Sequence, residues 1–199
     1  MPAKTLLEKA KNEVSEGIEL QQQGNLETAI LRYRRALMLK PNYFQALQKL
    51  ASIHSSQQNW AETIQCYQRI VDFKPQLPTP YLKLAQAAQE LNQIDRAISA
   101  YQKALELKSD WPAVVYKEAG DCLALRETSI ADAIAAYQKA AELKTDWSAG
   151  FYTKLGDVLQ KHQQWDAAIA AYQQAIELKP NSALLYLLQG AAYFKKRLV

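Results

Sequence analysis

A twelve-residue phrase, AISAYQKALELK at positions 97–108, constrains this chain more than any other feature, because it recurs four times with modest drift. The copies read AILRYRRALMLK from Ala29, TIQCYQRIVDFK from Thr63, AIAAYQKAAELK from Ala133 and AIAAYQQAIELK from Ala168. Their central tyrosines, Tyr33, Tyr67, Tyr101, Tyr137 and Tyr172, are 34, 34, 36 and 35 residues apart. A period of that size marks a stacked array, in which each unit is too small to cover its apolar face and buries it against the next. The 199 residues therefore divide into five units and a short remainder at each end, and their 49% apolar content needs no central core.

Composition narrows the classes further. With 24 basic and 20 acidic residues the formal charge is +4, and the signs alternate along the chain, which is too weak and too mixed a field to imply nucleic acid. Cys66 and Cys122 match no metal-ligand spacing, so two reduced, packed thiols and a cytoplasmic setting are expected. The N-terminus MPAKTLLEKAKNEV lacks the apolar run of a secretory signal, and no stretch approaches the ~20 apolar residues of a membrane span.

Helical periodicity begins at once, with Leu6, Leu7, Ala10, Val14, Gly17 and Ile18 at three- and four-residue steps. Gly24 suits the left-handed turn after a helix, and Asn25 suits the cap of the next. Asn42 with Gln45, Asn59 with Glu62 and, more weakly, Ser129 with Asp132 have capping-box spacing. Thr79 before Pro80 suits an N-cap followed by a first-turn proline. Each phrase ends in lysine (Lys40, Lys74, Lys108, Lys144, Lys179), where a cation favours the helix dipole by ~0.3 to 1 kcal/mol.

The helices preceding the phrases share a face as well. Leu47, Leu50, Ala51 and His54 correspond to Tyr81, Leu84, Ala85 and Ala88, then to Tyr116, Ala119, Gly120 and Leu123, then to Tyr152, Leu155, Gly156 and Leu159. The small third residue lets two helices approach closely. These residues resemble the tetratricopeptide repeat, whose pattern of aromatic, Leu-Gly, aromatic or leucine, Ala, aromatic, Ala and Pro they follow from about residue 10 to 194. Thr63 and Ile70 depart from it, replacing small alanines in the second repeat and widening the packing there. Another departure is an extra residue near Glu127 to Ser129.

The resemblance implies an all-α, right-handed superhelical solenoid of antiparallel helix pairs, with about eleven helices in one array over 1–199. The repeats fall at approximately 10–43, 44–77, 78–112, 113–148 and 149–182, with a final half-repeat helix over 183–196. It also implies a scaffold that binds a protein or peptide on a groove lined by the first helices. The variable face there reads Val14, Ser15 and Ile18, then Gln48, Lys49 and Ser52, then Leu82, Lys83 and Gln86, then Lys117, Glu118 and Asp121, then Thr153, Lys154 and Asp157. The expected binding residues are Gln48, Lys49, Lys83, Gln86, Lys117, Asp121, Lys154 and Asp157. Neither the carboxylate-gripping Lys/Asn set of chaperone-binding members nor the asparagine ladder of the sugar transferases is present. The array resembles bacterial ones that stand alone or precede an enzymatic domain, and the second reading is the non-catalytic part of a larger enzyme such as a transferase.

Catalysis is not expected. His54 sits at a core-facing place, read as a packed and satisfied imidazole, and His162 sits near a turn. No glycine-rich phosphate loop occurs among the six glycines, and neither a cofactor nor a metal is implied. RNA binding is the less favoured rival, because the lysines form no continuous stripe, and Trp60, Trp111, Trp147 and Trp165 suit packing better than base stacking. In the last helix, Tyr186, Gly190 and Tyr193 are expected in the core. Leu184, Leu185, Leu187 and Leu188 would then make the other faces apolar, to be covered by a following helix or a second copy of the chain.

Overall fold

The computed structural model describes residues 2–198, with burial and side-chain contacts from Thr5 to Leu198; Met1 and Val199, the ends of the expected array, lie outside them. Eleven α-helices occur among the described residues, with no strand. They are α1 (Pro2–Gln22), α2 (Leu26–Leu39), α3 (Phe44–Ser56), α4 (Trp60–Phe73), α5 (Pro78–Glu90) and α6 (Ile94–Leu107), followed by α7 (Ala113–Leu123), α8 (Ile130–Leu143), α9 (Ala149–Lys161), α10 (Trp165–Leu178) and α11 (Ala183–Lys196). A short 3-10 turn, Glu127–Ser129, precedes α8 where the sequence carries its extra residue. The chain forms two compact units, Met1–Lys108 and Ser109–Val199. The first holds the pairs α1/α2, α3/α4 and α5/α6; the second holds α7/α8 and α9/α10, with α11 packed on α10.

The recurring phrase forms the second helix of each pair, and its tyrosine is the bolt. Tyr33, Tyr101, Tyr137 and Tyr172 are almost completely buried. Three of them sit directly on a glycine of the partner helix. A Cβ added at Gly17 would lie 2.6 Å from Tyr33, one at Gly120 would lie 3.1 Å from Tyr137, and one at Gly156 would lie 2.6 Å from Tyr172. The small residue therefore makes room for an aromatic ring rather than for the neighbouring backbone.

The joints differ from the capping expectation. No helix N-cap among the described residues makes a side-chain cap hydrogen bond at the expected boxes: α3 is preceded by Tyr43 rather than Asn42, and α5 by Leu77, with Thr79 and Pro80 inside its first turn. Asn25 and Asn59 turn their amides back to Gln23 and Gln57 instead. The order lies at the helix C-termini. Gly24, Gln58, Asn92 and Gln163 all have positive φ (82°, 58°, 54° and 59°), and the next residue's N–H reaches back to Leu20, His54, Ala88 and Leu159 respectively. This is the Schellman closure, which satisfies the last carbonyls while reversing the chain.

The terminal lysines gain a second role, since Lys40 lies over Tyr43, Lys74 over Phe44 and Lys144 over Trp147 at 4.7–5.3 Å from the ring centres. Trp147 stacks on Phe151 and donates to the Ala140 carbonyl, as a packing residue does.

Candidate functional site

The polar residues expected to line a binding groove fall into two groups with different chemistry. In the first unit, Gln48 on α3 and Lys83 on α5 face a shared cavity of about 280 Å³, walled by Phe44, Ile70, Leu77 and Pro80 and closed by Tyr67 of α4. Lys83, Gln86 and Tyr67 also border a smaller cavity of about 130 Å³ beside Ser55 and Thr63. Lys83 Nζ donates to Gln86 Oε1 at 3.1 Å. Lys49 is half-buried and borders neither cavity, while Val14 and Leu82, placed on this face by sequence spacing, are buried. Thr63 and Ile70, the bulky replacements of the small alanines, border these two cavities.

Tyr67 is the residue that sequence reasoning missed. The other phrase tyrosines have an internal acceptor: Tyr33 donates to Gln21 (2.9 Å), Tyr101 to Gln89 (3.1 Å), Tyr137 to Asp121 (2.5 Å) and Tyr172 to Asp157 (2.7 Å). Gln21 and Gln89 precede their tyrosines by twelve residues, and the equivalent of these glutamines before Tyr67 is Ser55, which is too short to reach. Among the described residues the Tyr67 hydroxyl has no hydrogen-bond partner and borders both cavities. The missing glutamine was a visible signal in the repeat alignment.

In the second unit the expected donors are engaged. Asp121 accepts from Lys117 (2.7 Å) on its own helix, from Lys154 (2.7 Å) on α9 and from the Tyr137 hydroxyl on α8. Burial raises the Asp121 pKa, but the hydrogen bonds from Lys117, Lys154 and Tyr137 outweigh it and hold the carboxyl below its ordinary range. Asp157 accepts from Tyr172, again tying α9 to α10. Burial, followed by these carboxylate partners, pushes the Tyr137 and Tyr172 phenols far up, so both remain donors. Lys117, Asp121, Lys154 and Asp157 thus form a brace across α7, α8, α9 and α10.

Two further sequence expectations are corrected. His54 is buried as expected but not satisfied, because its Nδ1 has no hydrogen-bond partner. On α11 the buried residues are Leu185 and Ala192, with Leu188 half-buried against Ala175 and Ile176, whereas Tyr186 and Tyr193 are each 52% exposed. The reason is that the repeat's core places on a first helix face the second helix of the pair. Among the described residues, α11 packs mainly on α10, with Ala149 and Tyr152 of α9 against the same cluster, and has no second helix of its own pair. Leu184, Leu187 and Phe194 remain exposed, and Gly190 has nothing within 4 Å of where a Cβ would stand.

No group of three or more His, Cys, Asp or Glu side chains placed to hold a metal occurs among the described residues, and no described helix is long and apolar enough to cross a membrane. Cys66 and Cys122 are buried free thiols, each pushed up to about 11 by burial first, and so are protonated at neutral pH.

Antiparallel helix pairs locked by a tyrosine at a 34- to 36-residue period define a helical-repeat scaffold. Three tetratricopeptide-repeat sequence profiles match residues 14–78, 78–110 and 156–196, and the chain belongs to the tetratricopeptide-repeat family. No protein of curated function matches it by sequence. Its fold is similar to that of MamA (TM-score 0.70, 22% identity, 88% of this chain and 94% of that one). It is also similar to that of YrrB, described as a TPR protein with an unusual peptide-binding site (TM-score 0.70, 18% identity, 93% and 90%). The C-terminal part of a TPR repeat-containing protein from Cytophaga hutchinsonii is a third (TM-score 0.61, 19% identity, 90% and 73%).

Proposed function

We propose that the chain is a protein-interaction scaffold that binds an extended peptide in the first unit, across the Gln48–Tyr67–Lys83–Gln86 surface. The observation that carries this reading is Tyr67, whose hydroxyl alone among the five phrase tyrosines has no internal acceptor within the described residues and stands between two cavities. An apolar peptide side chain fits the larger cavity, between Phe44, Ile70 and Leu77. The Tyr67 hydroxyl and the Gln48 amide offer hydrogen bonds to peptide carbonyls, and Lys83 and Lys49 favour a neighbouring acidic residue. A tetratricopeptide-repeat structure with similar fold, YrrB, is described as having a peptide-binding site, which supports the class of ligand. The charge-balanced cluster of Lys117, Asp121, Lys154 and Asp157 in the second unit acts as a brace.

Selection of binders from a random peptide library with the purified chain tests this. Selected sequences should pair an apolar residue with a nearby acid, and Lys83→Glu and Tyr67→Phe should each weaken them with unchanged helicity. Peptides that bind both variants as well as the parent would refute the site.

A second surface follows from α11. Gly190 occupies the place that Gly17, Gly120 and Gly156 occupy in pairs where a tyrosine ring fills the seat, yet its own seat is empty. The exposed Leu184 and Leu187 extend that face. It suits an amphipathic helix carrying an aromatic residue, and self-association through α11 is the form we favour. Leu184→Glu with Leu187→Glu should abolish association in light scattering, whereas a parent chain that stays monomeric at high concentration would exclude the dimer.

A further inference from the structure

Another cavity in the first unit lies on the other side of α4 from Tyr67, between α2 and α4 over a floor made by Leu50 and His54 of α3. Its volume is about 490 Å³, within the range of small-molecule sites. Arg34 and Met38 line it from α2, and Glu62, Gln65 and Arg69 line it from α4.

The internal repeat shows how unusual these residues are. At the place of Arg34 the other four phrases carry glutamine: Gln68, Gln102, Gln138 and Gln173. At the place of Met38 they carry an acid: Asp72, Glu106, Glu142 and Glu177. At the place of His54 the other first helices carry Ala88, Leu123 and Leu159. Three departures from the repeat therefore converge on one cavity. Each changes it in the same direction: a guanidinium is added, a carboxylate is removed, and an imidazole replaces an apolar floor residue.

The unsatisfied groups point the same way. Arg34 has no hydrogen bond or ion pair with any described residue. One Arg69 nitrogen donates to the Pro41 carbonyl, which holds the guanidinium in place and leaves its remaining N–H groups available. The Nδ1 of His54 is buried without a partner. Burial first, then Arg34, lowers the His54 pKa against the opposing pull of Glu62, so the ring is neutral at physiological pH. Two guanidinium groups against one carboxylate, Glu62, give the cavity a net charge of +1. The apolar wall is Leu37, Leu50 and Met38, and Met38 is 82% exposed and so open to contact from a ligand.

We propose that this cavity is a second binding site, specific for a carboxylate carried on a short apolar body. The carboxylate lies between Arg34 and Arg69, whose planar forks match its geometry, with Gln65 and His54 completing the hydrogen bonding. The apolar body packs on Leu37, Met38 and Leu50. Glutamate in place of Met38, as in the other repeats, would repel such a ligand. Two sources carry this chemistry, a free organic acid and the last residue of a peptide. In the second case Glu62 is available to the peptide N–H groups.

The test uses hexanoate, benzoate and the tripeptide Ala-Ala-Phe with free or amidated C-terminus, each titrated calorimetrically into the full chain. The variants Arg34→Gln, Met38→Glu and His54→Leu install residues that the other repeats already carry at these places, so the fold tolerates them. Arg34→Gln, which loses one charge-assisted pair, and Met38→Glu, which adds a repelling carboxylate, should each weaken carboxylate binding by about tenfold or more. His54→Leu should raise the Tm and also weaken binding, and Lys83→Glu, on the other side of α4, should change nothing. Preference for the tripeptide, lost on amidation, identifies a chain end as the source; equal or tighter binding of the free acids identifies a small metabolite. Absence of binding by all four probes at millimolar concentration, or binding that Arg34→Gln and Met38→Glu both leave unchanged, overturns the assignment.

Discussion

Substituting alanine at two glycines in equivalent repeat places should have opposite effects. At Gly156 the new Cβ would stand 2.6, 2.7 and 2.9 Å from three atoms of the Tyr172 ring, about 1 Å inside ordinary carbon contact. Tyr172 is fully buried, and its hydroxyl is held by Asp157 at 2.7 Å, so the ring cannot swing aside without losing that bond. Overpacking of this kind costs about 3 kcal/mol, and the strained charge-assisted hydrogen bond adds about 2. Alanine recovers about 1 kcal/mol of helix propensity, leaving Gly156→Ala destabilising by about 4 kcal/mol. At Gly190 nothing lies within 4 Å, so only the propensity gain remains, and Gly190→Ala should stabilise by about 1 kcal/mol. Urea titrations followed by circular dichroism, at low protein concentration so that α11 is unassociated, measure both. Equal shifts of the two midpoints would refute the claim that the glycine serves a tyrosine seat. Tyr172→Leu should reduce the penalty at Gly156, because a smaller side chain tolerates the added methyl.

Other substitutions check other parts of the structure. Tyr101→Ala, which empties a central seat, should cost ~3 to 5 kcal/mol in the same assay, and Lys108→Ala at the half-buried end of the phrase ~1 or less. Gln58→Gly and Gln163→Gly should each raise the unfolding free energy in the urea titration by about 0.5 to 1 kcal/mol, because both residues hold positive φ that glycine adopts without strain. The Asp121 carboxyl titrates lower in the folded unit than in the unfolded chain, so its stabilisation is complete above about pH 4 and lost as pH falls through the lowered folded value. Asp121→Asn should cost about 2 kcal/mol at neutral pH, a modest figure because both lysine tips reach solvent, and should flatten the acid limb of a stability–pH curve.

Periodicity carries information about what every unit does alike, and departures from it carry the rest. The tyrosines, the small residues opposite them and the left-handed Gly24 turn were legible because each follows from a local rule repeated along the chain. The capping boxes were not, because Asn25 and Asn59 have a competing partner two residues back that spacing cannot rank. The register of α11 was misread for a related reason. The repeat pattern describes a helix packed against the second helix of its own pair, and with α10 of the preceding pair as its main described neighbour a different stripe, Leu185, Leu188 and Ala192, turns inward.

The groove residues separate along the same line. From the sequence, Lys83 and Lys154 are equivalent donors at equivalent places. Packing decided that Lys154 meets a half-buried carboxylate on the neighbouring repeat while Lys83 stands at a cavity edge beside an unanswered tyrosine hydroxyl. The sequence by itself determined the helix pairs, their period and the aromatic locks, since backbone propensity and apolar spacing act within one unit. Which polar groups cancel and which remain open was decided only in the tertiary structure, because a side chain's partner depends on distances between helices that lie some thirty residues apart in the chain.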